Sequence, residues 1–258
     1  MAINLTANCR LFLKLNEAAW AGGADVTDDS PLGNDATAYG ALAPIAGKIG
    51  NCATFEVGKH IIVPEVLDSL SFGETTDFSI VFWFKIPLAQ SVTELLLSKQ
   101  VYQDQGYNFM IRNDNKVSFG LSETSISNSA ISDLTYNDNT WHHAIGTFDR
   151  DGLLNLYIDG VIAEATPPSI SAITVIDNDE NLYLGRRSRE VDPLPSTASL
   201  DALMIFDKLL STDEIAFLYN SGMGVEVLTD AAPGGDSELS YNRGGARGIA
   251  LGINRGVF

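Results

Sequence analysis

Residues 139–160, with the sequence NTWHHAIGTFDRDGLLNLYIDG, form the most restrictive pattern in this chain. Two runs rich in apolar residues flank a polar turn at residues 149–152, and a second turn signal follows at Asp159 and Gly160. An Asp-Gly pair between apolar runs favours a tight hairpin, because glycine adopts a positive φ without a steric clash of a Cβ atom. The stretch therefore predicts antiparallel strands joined by short turns.

A short helix is predicted within residues 199–222, after a strand over residues 200–206. Ser211 is a suitable N-cap, because Glu214 stands three residues later and can reach back to the cap amide. Gly222 ends the helix. Its apolar face consists of Ile215, Leu218 and Tyr219.

Apolar residues alternate along FSIVFWFKI, residues 78–86, which predicts a strand with one face in the core. The predicted core positions are Phe78, Ile80, Phe82, Phe84 and Ile86. Further strands are predicted at residues 95–99, 107–112, 116–121, 142–148, 153–158 and 182–185. Residues 16–46 show little alternation and are predicted to be a loop. Short strands separated by turn residues indicate an antiparallel sandwich or barrel.

The order of these motifs resembles the laminin-G-like jelly rolls, a superfamily that also holds pentraxins and legume-lectin-like sandwiches. The resembling motifs are TWHH (140–143), LNLYIDG (154–160), NLYLG (181–185) and LDALMIFD before LSTDEI (200–215). The resemblance spans roughly residues 9–224. It implies an all-β, antiparallel jelly-roll β-sandwich over residues 1–224, with one short helix near its C-terminal end. The order of the elements favours a binding domain over a typical enzyme.

The net charge of −17 restricts the partners of the chain. Nucleic-acid binding requires a basic surface to neutralise phosphates, so it is not expected. Membrane insertion is not expected either, because no run of about eighteen apolar residues occurs. The first residues, MAINLTANCRLFLKLNE, lack the pattern of an export signal.

Domains that resemble this one usually work outside the cell, although no export signal is evident. A bacteriophage virion component, in the capsid decoration or the tail, reconciles the two observations, because virion proteins are made in the cytoplasm and released by lysis. A secreted bacterial carbohydrate-binding module is the alternative, and cell-surface glycans are a candidate partner for both.

The C-terminal residues differ in composition from the rest. Residues 225–238 are predicted to be a linker, since they are rich in Gly, Pro, Ala and Asp without periodicity. Residues 239–258 form a glycine-rich arm with no acidic residue. Its basic residues, Arg243, Arg247 and Arg255, are candidates for binding other virion proteins or further copies of the chain. The alternatives are a disordered tail or an arm folded back on its own acidic domain.

Catalytic residues are not predicted. Retaining glycoside hydrolysis requires two carboxylates about 5 Å apart, and no strand carries carboxylates on alternate positions. The acidic clusters at 25–29 and 177–180 have the composition of turns. The chain has three histidines and lacks the nucleophile elbow of serine hydrolases.

Calcium is the candidate metal, since carboxylate and carbonyl oxygens are its preferred ligands. Some jelly-roll relatives hold a structural calcium between the first strand and the last, and this resemblance makes Glu17 and Asp201 candidate ligands. Solvated turn carboxylates are the alternative. Cys9 and Cys52 are either bridged, closing a loop of about forty residues, or small buried thiols.

The candidate ligand-binding residues are cationic or aromatic. Arg186 and Arg187 either pair with nearby acidic groups or form a positive spot for an anionic sugar. Trp20 and Tyr107 are candidate stacking platforms for a sugar ring, with core packing as the alternative.

Overall fold

The computed structural model describes residues 2–23, 25–88, 92–101, 105–187 and 197–230. The strands are β1 (Cys9–Leu13), β2 (Thr37–Tyr39), β3 (Ile45–Ala46), β4 (Asn51–Thr54), β5 (His60–Val63), β6 (Phe78–Lys85), β7 (Glu94–Gln100), β8 (Gly106–Ile111), β9 (Val117–Glu123), β10 (Ile126–Ile131), β11 (Trp141–Phe148), β12 (Leu154–Ile158), β13 (Val161–Ile162), β14 (Leu182–Leu184) and β15 (Ser199–Phe206). Helix α1 spans Thr212–Tyr219. Among the residues described, no helix combines the length and apolar character that a membrane crossing requires.

The strands form two antiparallel sheets packed face to face, which confirms the predicted jelly-roll sandwich. The eight-stranded sheet has the order β13-β12-β11-β6-β15-β4-β3, and β1 also pairs with β15. The seven-stranded sheet has the order β10-β9-β8-β7-β14-β5-β2. Some neighbours are far apart in sequence, as in the pairing of β15 with β6, while others are consecutive, as in the run β10-β9-β8-β7. The hairpin of β11 and β12 is present as predicted.

The alternation of β6 places its apolar face between the sheets. The four predicted core positions within β6, and Ile86 directly after it, are all fully buried. Phe82 packs edge-on against Phe109 of the opposite sheet, with ring centroids 4.8 Å apart. Burial of such aromatic side chains is the main source of stability in a sandwich core.

Helix α1 closes the outer side of the eight-stranded sheet. Ser211 accepts a hydrogen bond from the Glu214 amide, and the Glu214 carboxylate accepts one from the Ser211 amide at 2.9 Å, so the predicted capping box is present. The helix ends at Tyr219, before Gly222, because Asn220 takes a left-handed conformation. A second apolar cluster lies beneath the helix and includes Leu5, Phe12, Val81, Ile145, Met204, Phe206, Ile215 and Leu218.

The folded body extends beyond the predicted boundary at residue 224. Val225 and Leu228 pack against the cluster under α1. The Leu5 amide donates to the Leu228 carbonyl at 2.7 Å, and the Asp230 carboxylate accepts from the Ile3 amide at 2.9 Å. Residues 225–230, predicted as linker, therefore belong to the sandwich. The arm of residues 239–258 lies outside the described residues.

Both cysteines are buried free thiols, so the bridged alternative is not formed. Burial raises the pKa of Cys9 to about 12 and that of Cys52 to about 11, because the thiolate loses its hydration. Neither thiol is therefore reactive at neutral pH.

Candidate ligand-binding groove

A continuous row of side chains crosses the outer face of the seven-stranded sheet. Residues on either side of the row, such as Leu97, Phe109 and Phe119, point into the core, so the residues between them face outward. Strand register aligns the row as Thr37, Ile62, Tyr183, Ser98, Asn108, Gly120 and Ser129. Its end over β8, β9 and β10 consists of small and polar residues.

A groove with a volume of about 180 Å³ lies over this polar end. Its lining residues are Gln100, Asn108, Met110, Gly120, Leu121, Ser122, Ser127, Ser129 and Arg187. The described lining contains amides, hydroxyls and one guanidinium, and it contains no carboxylate or imidazole. Such a lining can donate hydrogen bonds to a polar ligand and accept them from it.

Asn108 is the central polar residue of the groove. Its Nδ2 donates to Gln100 Oε1 at 2.8 Å, and Gln100 Nε2 donates to Ser122 Oγ at 2.5 Å. The side chain is only 5% exposed, yet its Oδ1 atom has no hydrogen-bond partner among the described residues. A buried acceptor without a donor costs stability, and a donor from a ligand removes that cost.

Gly120 keeps the floor of the groove open. A Cβ atom at this position would lie 2.9 Å from Asn108 Oδ1 and 3.2 Å from Ser129 Oγ. Any side chain at position 120 would therefore contact the Asn108 Oδ1 atom and block a ligand from it. The backbone itself does not require glycine, because Gly120 is absent from the residues with positive φ.

The two candidate arginines take different positions beside the row. Arg187 lines the groove. The Arg186 guanidinium lies over the Tyr183 ring, 5.5 Å from its centroid, and its Nε donates to the Arg187 carbonyl at 2.9 Å. Stacking on Tyr183 thus fixes Arg186, while Arg187 places a cation beside the polar end of the row.

The two candidate aromatics do not join this groove. Tyr107 lies between the sheets, 2% exposed, with its hydroxyl donating to the Leu70 carbonyl, so its ring is not available to a ligand. Trp20 is 9% exposed and donates from Nε1 to Glu17. It lines a separate depression with Tyr39.

Tyr39 was missed by sequence reasoning, although its ring is 43% exposed. It stacks on His60 with centroids 5.0 Å apart and an interplanar angle of 6°. The surrounding stretch lacks alternation, and the pairing of β2 with β5 that sets this ring on the outer face has no local sequence signal.

The candidate calcium ligands are occupied by other contacts. Glu17 accepts from the Thr27 amide at 2.7 Å and from Trp20. Asp201 is fully buried and accepts from the Lys48 and Ile49 amides at 2.7 and 2.9 Å. Within the described ranges, no three His, Cys, Asp or Glu side chains are grouped to hold a metal ion. The role of Glu17 and Asp201 as calcium ligands therefore stays a prediction.

Comparison with known proteins agrees with this architecture. Residues 58–216 match the laminin G-type family model described as Concanavalin A-like lectin/glucanases superfamily. The chain is 25% identical over 187 residues to Paraclostridial mosquitocidal protein 1 of Paraclostridium bifermentans, a match that covers 66% of this chain and 14% of that protein.

Solved toxin binding domains share the fold. The binding domain of Paraclostridial mosquitocidal protein 1 superposes with a TM-score of 0.69 and 19% identity, covering 84% of this chain and 53% of that one. The binding domain of botulinum neurotoxin DC, in complexes with rat synaptotagmin II and with SialylT, gives a TM-score of 0.67 and 16% identity over 84% of this chain and 52% of that one. The chain thus spans about half the length of these binding domains. Its match covers 14% of the full-length Paraclostridial mosquitocidal protein 1.

Proposed function

We propose, on the premise that the chain belongs to the concanavalin A-like lectin/glucanases superfamily, that it is a non-catalytic domain that binds carbohydrate outside the cell. The binding site is the groove over β8, β9 and β10. The observation that carries the proposal is the buried Asn108 Oδ1 atom, which has no donor among the described residues and belongs to a side chain that lines a groove of hydroxyl and amide groups.

Sugar hydroxyls match this lining. Each hydroxyl can donate to Asn108 Oδ1 and accept from a neighbouring group, so both partners become satisfied. Met110 supplies apolar surface for the C–H face of a sugar ring. The groove volume of about 180 Å³ accommodates a short part of a glycan.

The charge of Arg187 favours an acidic sugar. A guanidinium binds a carboxylate or sulfate through two parallel hydrogen bonds. We therefore expect uronic, sialic or sulfated glycans to bind more tightly than neutral ones.

The relatives support a role at a cell surface. The botulinum neurotoxin DC binding domain is known in complexes with rat synaptotagmin II and with SialylT. Because the present chain covers about half of that domain, those ligands suggest a class of partner and not a particular one. The relatives favour an extracellular location, and they give no support to the virion placement.

A glycan array of neutral and acidic oligosaccharides tests the proposal. Wild-type protein should bind a set of acidic glycans, and Gly120→Ala and Asn108→Ala should each weaken binding at least tenfold without changing the melting temperature by more than a few degrees. Ser125→Ala is the matched control, because Ser125 lies in the β9–β10 turn and does not line the groove.

Two results would contradict the proposal. Binding that Gly120→Ala and Asn108→Ala leave unchanged would place the site elsewhere. New reducing ends after incubation with the bound glycan would show that the domain is an enzyme.

A further inference from the structure

A second cleft, larger than the groove, lies near the ends of β1 and β15. Its volume is about 340 Å³, and its lining shares no residue with the groove. Four lining residues are apolar: Leu32, Val66, Leu67 and Phe72. The first three are 41%, 42% and 96% exposed. Exposed aliphatic groups gathered around one cleft indicate an interaction surface.

The backbone holds two of these rim residues in an unusual conformation. Leu67 has φ 52° and the next residue, Asp68, has φ 56°. Left-handed backbone is disfavoured for leucine and is not offset here by burial, since the Leu67 side chain projects into solvent. Such strain is concentrated at binding sites.

Among the described residues, the charged side chain of the cleft that has no ion-pair partner is acidic. Arg10 donates from Nε to Asp207 at 2.8 Å and forms an ion pair with it. Asp68 is exposed and forms no ion pair with any residue in the described part of the chain. An occupant that brings aliphatic side chains and a cation is therefore complementary to the cleft.

Residues 239–258 have this chemistry. They contain Arg243, Arg247 and Arg255 and no acidic residue, so the rest of the chain carries −20 (−17 − 3). They also contain aliphatic and aromatic groups at Ile249, Leu251, Ile253, Val257 and Phe258.

The segment can reach the cleft. The Asp230 amide donates to the Ile3 carbonyl at 3.2 Å, so the two residues are neighbours. Arg10, on the wall of the cleft, follows Ile3 by seven residues. Eight residues, 231–238, separate Asp230 from the arm. The distance from Ile3 to Arg10 cannot exceed the extended length of seven residues. The eight residues from 231 to 238 are therefore long enough to bring the arm from Asp230 to the cleft.

We propose that residues 239–258 dock in this cleft of their own chain, with aliphatic side chains packed against Leu32, Val66 and Leu67 and an arginine paired with Asp68. The contact weakens as salt rises, because ion pairs at an exposed rim are screened.

Chemical labelling of the full-length chain tests the proposal. Thr76→Cys introduces a thiol in the lining of the cleft, and Ser125→Cys introduces a control thiol on the opposite sheet. The native thiols are buried and do not compete. Replacing Arg243, Arg247 and Arg255 together by Ser should accelerate alkylation of Thr76→Cys by a bulky maleimide at least fivefold and leave Ser125→Cys unchanged.

The folded state of each variant is checked by its near-ultraviolet circular dichroism. Equal labelling of Thr76→Cys with and without the three arginines would overturn the proposal. Protection that grows with protein concentration would overturn it as well, because it would identify the arm of another copy as the occupant. Leu67→Ser in the Thr76→Cys background should accelerate labelling in the same way, and failure to do so would exclude Leu67 as an anchor of the docked segment.

Discussion

His143 and Asp201 lie on opposite sides of Trp83 in one row that crosses β11, β6 and β15 on the outer side of the eight-stranded sheet. Both side chains are buried, and His143 Nδ1 and Asp201 Oδ1 each lack a hydrogen-bond partner among the described residues. Burial lowers the pKa of His143 to about 3 and raises the pKa of Asp201 to about 7, because each charged form loses its hydration.

Asp201→Asn should stabilise the protein above neutral pH. The folded state holds the Asp201 proton more tightly than the unfolded chain, where the pKa is 3.8. Its carboxyl group therefore reduces the free energy of unfolding progressively as pH rises from 3.8 through about 7. Asparagine keeps an acceptor for the Lys48 and Ile49 amides, so we expect a gain of roughly 1–3 kcal/mol at pH 8.

Urea unfolding at pH 5 and pH 8 measures this gain. The exposed Asp179→Asn is the matched control, and it should change the free energy of unfolding by less than about 0.5 kcal/mol at both pH values. A loss of stability in Asp201→Asn at pH 8 would contradict the interpretation.

His142→Gln should destabilise the protein more in acid than in alkali. Burial alone would lower the pKa of His142, but hydrogen bonds and charges from Asp159 and Asp138 raise it above 6.5. The imidazole nitrogens lie 2.7 Å from Asp159 and 3.2 Å from Asp138. The stabilisation by the imidazolium is complete below pH 6.5 and is lost as pH rises through the folded pKa.

We expect the loss in His142→Gln to be about 1 kcal/mol larger at pH 5 than at pH 9. Thermal unfolding of both proteins across this range measures the difference. An equal loss at the two pH values would show that packing, and not charge, is what His142 contributes.

Lys99→Met should cause a large loss of stability. The buried Lys99 ammonium contacts the Glu65 carboxylate at 2.8 Å and donates to the carbonyls of Asn178 and Glu180 at 2.8 and 2.9 Å. Removing the cation leaves a buried carboxylate without a counter-charge, which costs about 3–5 kcal/mol. Lys208→Met, which breaks the more exposed pair with Glu214, should cost about 1 kcal/mol or less.

Chemical denaturation of both variants gives the comparison. Adding Glu65→Gln to Lys99→Met should recover part of the loss, because it removes the unpaired charge. Similar losses for Lys99→Met and Lys208→Met would contradict the assigned role of burial.

Ser211→Ala should destabilise the protein by about 1 kcal/mol, since it removes the cap of the helix that covers one sheet. Ser211→Asp should retain most of the stability, because aspartate is also an effective N-cap. Calorimetry of the two variants measures both losses of stability. Equal losses in Ser211→Ala and Ser211→Asp would indicate a requirement for serine itself and not for an N-cap.

Local patterns in the sequence predict much of the sandwich. The alternation in β6, the turn at Asp159 and Gly160, and the capping box of Ser211 and Glu214 each depend on residues close together in the chain, so each can be recognised without the structure. Strand β10 was not predicted, because its sequence, ISNSAI, places serine and asparagine where alternation of apolar residues would be expected.

The candidate groove could be predicted only in part. Arg187 is recognisable in the sequence by its charge. Asn108 and Gly120 become neighbours only through the pairing register of β8 and β9, which the sequence does not reveal. No feature of the sequence shows that Asn108 ends beside Gly120 or that its Oδ1 atom lacks a donor. Lys99 was likewise placed in a strand, but its burial depends on carbonyls from the distant residues Asn178 and Glu180.

The closure of the eight-stranded sheet by α1 has a practical consequence. Residues 3–5 and 228–230 run side by side on that closed side of the sandwich, while the row through Asn108 lies on the opposite side. A sensor surface coupled near Ile3 would therefore hold every molecule in one orientation, with the polar row directed at the analyte. Coupling through the seven-stranded sheet would place the polar row against the sensor surface, where the analyte cannot reach it.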